Sequence, residues 1–595
     1  MHIVSHMLTP GQARLDSRRW LCCFPSSVLD TLTNTILYNE WYKAGRARAS
    51  GARLMPRAKG PKFGGWLGNV DIIEMMTKNA KEGYPEHIQR IFATDFGNYV
   101  KGERFQQAMG SVLGVGVFNS DGDMWKLHRS MTRPFFTRDR ITHFELFDRH
   151  ALICIQQMKK RLEEGYPVDF QDLMGRFTLD AATEFLFGTC FHCLEDGLPY
   201  PYYVPTAPSP SSSSPFTSSS ILPTTTANKT TNAQKFTTSF LLSQEVISDR
   251  ERLGPLVWPL MEMWKDKTKE PMDVVGGWVE RIVREALERK KEKKGREEKT
   301  KEEEGETLLD HLVEMTDDPT VLRDEALNIM IAGRDTTAAT LSFVIYSLAK
   351  HPEAYKSLRE EILRTIGSDT KKPLVYEQVK ECKYLRAVIN ETLRLFPVVP
   401  FNIRESIRET TWPSPDPTKE PLYVPAGTKT AYSVFMMHRR PDLWGPDAEE
   451  FDPNRFLDHR LKEYVGKNPF IFLPFNAGPR ICLGQQFAYN EMSFMLIRLV
   501  QYFESFEFCV DACEPEFRAP RKEWVSKSTD TDALRITLYE RLRALSKSSS
   551  TQPNKKTAAV KQRLPATAVM SPTSAPEKSL LSGILLKTYT ALPVS

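Results

Sequence analysis

The 595-residue chain has no long uninterrupted apolar run, no marked excess of either charge and no cysteine framework. Each absence removes a class of protein. A membrane-spanning helix needs about 20 consecutive, predominantly apolar residues, and the best N-terminal stretch, Trp20 to Tyr38, is broken by Pro25, Asp30, Asn34 and several Ser and Thr. A net charge of +5 is too slight for a dedicated nucleic-acid binder, and no helix-turn-helix, zinc-finger or aromatic-basic motif accompanies it. Nucleic acid is therefore not an expected partner. The nine cysteines are scattered, which suits a reducing compartment rather than a disulfide scaffold. Cys22 with Cys23 and Cys190 with Cys193 form the close pairs, and neither reads as a zinc site, so zinc is not expected. No Gly-X-Gly-X-X-Gly follows a strand pattern and no second globular half is evident, so flavin and nicotinamide are not expected on this chain.

What is present reads as an α-rich protein with 41% apolar and 26% charged residues. Leu385, Val388, Ile389 and Leu393 recur at helical spacing, which places Glu391 and Arg394 on one turn where they can pair. Leu422 to Val424, followed by Pro425-Ala426-Gly427, reads as a short strand and turn. The expected fold class is mainly α with a minor β-sheet region. Residues 1–60 form an N-terminal segment with a basic hinge from Arg46, residues 61–541 the main domain, and 542–595 a disordered tail. Within the main domain, a Pro/Ser/Thr-rich insertion at about 199–231 buries too little apolar surface to offset its ordering entropy, and reads as a surface loop. The charged stretch from Glu288 to Glu306 reads as a solvated helix end and linker.

The most informative segment is Phe475-Asn476-Ala477-Gly478-Pro479-Arg480-Ile481-Cys482-Leu483-Gly484. It presents one cysteine on a Gly-rich loop that leads into an apolar helix. A thiolate ligand to haem iron needs backbone N–H donors, a helix N-terminus and apolar cover. Gly478 and Gly484 allow a tight turn and close approach to a porphyrin, Phe475 can shield the sulfur, and Arg480 can pair with a haem propionate. Upstream, Ala332-Gly333-Arg334-Asp335-Thr336-Thr337 interrupts a helical pattern that runs from about Asp324 to Ala349. A glycine there costs up to ~1 kcal/mol relative to Ala; it removes bulk where a diatomic ligand could lie, and Asp335 with Thr336 offers an acid and a hydroxyl for proton relay. The competing reading is a kinked helix whose Thr bonds back to its own backbone.

These segments resemble the cytochrome P450 superfamily, over about residues 60 to 541. The cysteine segment matches the family's Phe-X-X-Gly-X-Arg-X-Cys-X-Gly without departure. Glu391-Thr392-Leu393-Arg394 is similar to its Glu-X-X-Arg motif, and Trp125 with Arg129 to its Trp-X-X-X-Arg. Asp452-Pro453-Asn454-Arg455-Phe456 is similar to the Arg-bearing segment between them, although the family usually has Pro-Glu-Arg-Phe. The resemblance implies the P450 fold, haem b held through Cys482 as axial iron ligand, and propionates met by Trp125, Arg129, Arg404 and Arg480. For Trp125 a plain packing role is an equal alternative. It assigns Asp335 and Thr336 to oxygen activation, and Glu391, Arg394 and Arg455 to a structural lock.

The implied reaction is RH plus O2, two electrons and two protons giving ROH and water, with NADPH oxidised by a separate P450 reductase. Within the superfamily the motifs are most similar to fungal alkane- and fatty-acid-hydroxylating members, so an apolar substrate is expected, with xenobiotics or terpenoids as alternatives. Phe118, Phe240 and Trp258 are candidate pocket residues. A haem-thiolate isomerase or peroxygenase, and a non-enzymatic haem sensor, stay open as other functions. The family's eukaryotic members imply an N-terminal anchor at the endoplasmic reticulum, cytosolic face, whereas Trp20 to Tyr38 itself reads as a soluble or interfacial start; both readings stand at this point.

Overall fold

Three of the longer helices start where the sequence supplies a capping side chain, Asp169, Thr307 or Asp318. In the computed structural model, whose described residues are 42–54, 84–136, 144–201, 203–204, 232–295, 307–509 and 512, the longer helices are α1 (Glu103–Leu113), α2 (Gly122–Thr132), α3 (Phe144–Glu163), α4 (Phe170–Phe187), α5 (Asn232–Met261), α6 (Lys269–Gly295), α7 (Leu308–Met315), α8 (Pro319–Lys350), α9 (Pro352–Thr365), α10 (Lys383–Leu395) and α11 (Gln485–Tyr502). The segment Trp20 to Tyr38, nearly all of the 199–231 insertion, the 542–595 tail and Glu288–Glu306 beyond residue 295 lie outside the described residues. Among those described, no helix is long and apolar enough to cross a membrane.

Helix α8 begins earlier than its periodicity suggested. The Asp318 carboxylate accepts the Thr320 and Val321 N–H groups and Pro319 takes the first helical position, so the helix starts at Pro319 rather than near Asp324. It also runs through Gly333 without a break, because packing on both flanks outweighs one glycine's low propensity. α8 supplies side chains to two cores. Leu341 and Val344 join Phe147 of α3, Phe177 of α4, Leu358 of α9, Leu393 of α10 and Phe494 of α11, while Leu322, Leu327 and Met330 join Met109 of α1, Phe240 of α5, Ile282 of α6 and Leu312 of α7. A helix buried by two apolar clusters is held along its length, which fixes whatever its middle turns present.

The first turns of α8 also grip the loop after α1. Asp324 accepts the Val115 N–H at 2.9 Å, Glu325 that of Val117 at 3.0 Å, and Asn328 that of Phe118 at 3.0 Å. The approach is so close that a Cβ on Gly114, at φ +54°, would lie 1.9 Å from Asp324 Oδ2, and one on Gly116 would lie 2.4 Å from Asn328 Nδ2. Glycine is therefore required at both positions.

The chain divides into two compact units, Met1–Arg57 with Ser406–Thr428 and Ala58–Glu405 with Lys429–Ser595. The first contains a helix over 42–49 and a sheet in which β1 (Arg53–Leu54) pairs parallel with β5 (Leu422–Val424), itself antiparallel to β4 (Thr410–Trp412). The second holds the helices and a sheet of order β2 (Tyr99–Val100), β3 (Phe401–Ser406), β6 (Lys429–Ser433). β3 and β6 are antiparallel with Arg404 opposite Thr430. Alternation along β3 buries Asn402 and Arg404 on one face. The architecture is mainly helical with small sheets, as the sequence suggested.

Candidate active site

The cysteine loop is shaped by close approach. Gly478 sits at φ +67°, and a Cβ there would fall 1.8 Å from the Phe92 carbonyl oxygen, so glycine is demanded by this neighbour as well as by the turn. Asn476, at φ +62°, is held by the Tyr432 hydroxyl, which donates to Asn476 Oδ1 at 2.7 Å. The Cys482 N–H donates to the Phe475 carbonyl at 3.0 Å and closes the loop. Gly484 lies in the turn before α11, as the sequence suggested, but that turn does not demand glycine. Its φ of −83° suits any residue, and the nearest foreign atom to a Cβ would be Phe136 Cε1 at 4.0 Å. What glycine leaves there is open space facing a cavity that Gly484 lines.

That cavity is walled by the cysteine loop and by α8. Cys482, Phe475 and Arg480 line it from the loop, Gly333, Thr336 and Thr337 from α8, and Trp125 and Arg129 from α2. Phe118 also lines it, placed there by the Asn328 contact. Phe240 and Trp258 do not. Phe240 is buried in the helical core stacked on Phe236 at 5.6 Å, and Trp258 lies against Arg250 at 4.8 Å, so both aromatics serve packing. Thr336 Oγ1 donates to the Ala332 carbonyl at 2.7 Å. Asp335 is half-buried, 3.1 Å from Arg334 Nη1, and is not among the cavity-lining residues.

The sulfur's electrostatics are divided. Burial raises the Cys482 pKa, while the Gly484 N–H and the Arg129 charge oppose the rise. Arg129 is itself pushed down, by burial first. Beside it Arg480 is 4% exposed, donates to Asp121 Oδ1 at 2.7 Å and to the Ser120 carbonyl at 3.1 Å, and lies over the Trp125 ring at 4.6 Å. Its Nε is buried without a hydrogen-bond partner among the described residues. Burial, with the charges of Arg404 and Arg129, pulls its pKa down to about 10 against the attraction of Asp121. Arg404, 1% exposed over the Phe92 ring, is lowered by burial as well. Lys101, 2% exposed, was not anticipated. Burial, then Arg404 and Arg480, drive its pKa well below the usual lysine value. Four cations thus gather where Asp121 is the nearby carboxylate common to Arg480, Arg404 and Lys101.

Glu391, Arg394 and Arg455 form a different arrangement. Arg394 makes a two-point contact with Glu391 at 2.7 Å through Nε and Nη2, and donates to the carbonyls of His438, Ala448 and Glu450. Arg455 Nε meets Glu391 at 3.4 Å, and its other nitrogens bind Asp447 and the Trp444 carbonyl. The Asp452 N–H adds a donor to Glu391. His438, also missed in the sequence, joins this frame to the cysteine segment. Its Nδ1 lies 3.1 Å from the Arg394 carbonyl and its Nε2 accepts the Leu473 N–H at 3.0 Å. Burial lowers its pKa to about 3.

Glu491 on α11 is a third residue that the sequence did not point to. It is fully buried, neither carboxyl oxygen closes a hydrogen bond among the described residues, and burial pushes its pKa up to about 8 against the influence of the Thr337 hydroxyl. An acidic residue in an otherwise apolar helical stretch was the available signal.

A helical protein with a half-buried cysteine on a tight loop, beside a largely apolar cavity that Arg129 and the buried Arg480 also line, defines a haem-thiolate class. The chain belongs to the cytochrome P450 family, whose pattern matches residues 83–519. Cytochrome P450 52-M1 of Starmerella bombicola is 37% identical over 440 residues, 73% of this chain and 77% of that protein. Cytochrome P450 52A3-A of Candida maltosa is 38% identical over 434 residues, 71% and 75% of the two chains, and cytochrome P450 52A6 of Candida tropicalis 38% over 432 residues, 71% and 74%. The protein is accordingly a P450 monooxygenase with haem b as its cofactor and NADPH as the family's usual electron source. The residues present fit that group: Arg480 Nε is an orphaned buried donor, Gly484 leaves open space at the cavity wall, and Cys482 offers a soft ligand with an N–H beside it.

Proposed function

We propose that the chain hydroxylates a long-chain fatty acid or alkane at a C–H bond, using electrons delivered by a separate NADPH-dependent reductase. The observation that supports this best is that Cys482 and Thr336, on two different elements, line the same cavity. Haem b, when bound, supplies the iron centre that takes up O2 and electrons.

The chain's own groups divide the remaining tasks. Cys482 binds the iron, and the Gly484 N–H and Arg129 favour its charged form over the neutral one that burial prefers. Arg129, Arg404 and Arg480 meet the propionates, with Trp125 supporting Arg480, and a dianionic edge compensates cations that burial otherwise disfavours. Thr336 donates its hydroxyl proton to Ala332, so the oxygen's lone pairs remain available to accept a hydrogen bond from a protonated oxygen or water in the cavity. The back-bonded threonine of the structural reading and the relay threonine are the same conformer. Asp335, partly exposed and held by Arg334, accepts protons from solvent and passes them towards Thr336. Glu391, Arg394 and Arg455 hold the segment from which the cysteine loop departs.

Apolar side chains such as Phe118, Phe185, Leu186 and Ile329 exclude water and suit an alkyl chain. The motif resemblance orders the candidates, alkyl chains before aromatic xenobiotics or terpenoids. The reductase follows from the missing flavin and nicotinamide fingerprints, and attachment at the cytosolic face of the endoplasmic reticulum from the same resemblance.

The test is the absorption spectrum of the dithionite-reduced chain under carbon monoxide, followed by a fatty-acid and alkane screen with reductase and NADPH. A thiolate-type Soret band and hydroxylated products are expected, with Cys482→Ala losing the band. An unchanged band in that variant would displace Cys482 as the ligand. Product formed from peroxide alone, but not with reductase and NADPH, would favour the peroxygenase reading.

A further inference from the structure

Away from the cavity, three metal-ligating side chains converge where α3, α4 and the segment after α4 meet. His150, Asp180 and Cys190 each present a donor atom, and the three atoms lie within 4.8 Å of one another. His150 is 4% and Asp180 1% exposed, whereas Cys190 is half-buried and so within reach of an entering ion. None of the three lines the cavity. Along the sequence the pair encloses only His192; the fold is what brings His150 and Asp180 to Cys190.

The histidine is set up as a ligand. Its Nε2 lies 2.7 Å from Glu184 Oε2, a contact that places the ring proton on that nitrogen and leaves a lone pair on Nδ1. Nδ1 is buried without a hydrogen-bond partner among the described residues. A carboxylate on the far nitrogen is the arrangement that orients imidazole ligands and raises their basicity at metal sites. Glu184 is itself fixed by Arg149 at 2.7 Å. Asp180 is oriented too, since its two oxygens accept the Cys193 and Leu194 N–H groups at 3.0 and 2.9 Å and each retains a lone pair.

We propose that His150, Asp180 and Cys190 bind a zinc ion that ties α3 and α4 to the segment following α4. One imidazole nitrogen, one carboxylate oxygen and one thiolate sulfur suit zinc, with water in the fourth position, whereas calcium and magnesium select oxygen ligands. Binding forms the Zn–S bond as the Cys190 thiol releases its proton to solvent, and no electrons are transferred. The two cysteines against Asp180 are otherwise high-pKa thiols, raised by burial and by that carboxylate, to about 12 for Cys190.

The test uses the haem-loaded full chain, purified with a reductant, equilibrated with zinc chloride and passed through gel filtration. Elemental analysis should give about one zinc per iron, and zinc K-edge X-ray absorption one sulfur at about 2.3 Å with N/O ligands at about 2.0 Å. Iron occupies Cys482 in this preparation, so that sulfur cannot contribute. Cys190→Ser should lose the sulfur shell, and Glu184→Gln should weaken zinc binding roughly 10- to 100-fold, both with an unchanged reduced carbon-monoxide spectrum. No retained zinc, zinc of unchanged affinity and spectrum in Cys190→Ser, or a Cys190–Cys193 disulfide in the reduced preparation would each overturn the proposal. Should Cys190→Ser fail to fold, Glu184→Gln, partly exposed, decides alone: unchanged affinity there rejects the site.

Discussion

The Glu391 frame and the cavity-edge cations are both buried charge clusters, yet they are balanced in opposite ways. Around Glu391 every charge has a matched partner: two guanidiniums share its carboxylate, and their remaining donors end on Asp447 and on backbone carbonyls. Near the cavity, burial displaces Arg480, Arg404 and Lys101 towards their neutral forms, the Arg404 charge adds to the effect on the other two, and Asp121 opposes it. A frame satisfied from within stabilises the fold. A cluster carrying excess positive charge is suited to an anionic group brought from outside, at a cost to the bare chain.

The largest test of this contrast is Arg394→Ala, which removes the two-point partner of Glu391, leaves it only the longer Arg455 contact and one N–H, and should cost about 3–5 kcal/mol of stability; urea unfolding measures it, and a loss no greater than that of an exposed pair would break the comparison. Thr336→Ala lies outside both clusters. It should leave haem content and folding in place yet lower product formation by about 10²-fold, the lower end for a lost proton-transfer group, with peroxide release replacing product. Arg480→Met should show the converse of Arg394→Ala. Its fold should survive while haem affinity, followed by haem titration, drops roughly 10- to 100-fold, the worth of a charge-assisted hydrogen bond of about 1.5–3 kcal/mol.

A separate test concerns Glu491, a lone buried acid in neither cluster. Its folded pKa of about 8 lies above the usual carboxyl value of 4.5, so the folded chain holds a proton that the unfolded chain gives up. Its contribution to stability is therefore complete below about pH 4.5 and is lost as pH rises to about 8, at a slope of up to ~1.4 kcal/mol per pH unit. Glu491→Gln should flatten the decline between pH 5 and 8 in denaturation midpoints. An identical slope in the variant would mean that Glu491 is already ionised.

Several parts of this molecule were legible from residue order because their chemistry is local. The Gly478–Arg480–Cys482–Gly484 spacing, the three-residue separation of Glu391 and Arg394, and the β5 strand before Gly427 are short-range patterns, and the structure keeps each in the expected element. Others were misjudged for equally physical reasons. Periodicity put the start of α8 too late because Pro319 and the Asp318 cap, not apolar spacing, begin it. Phe240 and Trp258 went to packing, and the reason for Gly478 lies in a Phe92 carbonyl distant in sequence.

The family, the helical class and the glycine-rich cysteine loop could be read from residue order alone, since each rests on contiguous residues or fixed helical spacing. Only the tertiary structure decided that Lys101 joins Arg404 and Arg480, that His438 links the Glu391 frame to the cysteine segment, and that His150 and Asp180 meet Cys190. Those groups belong to separate elements, and their proximity is set by how apolar helix faces bury one another, an outcome that no local pattern encodes.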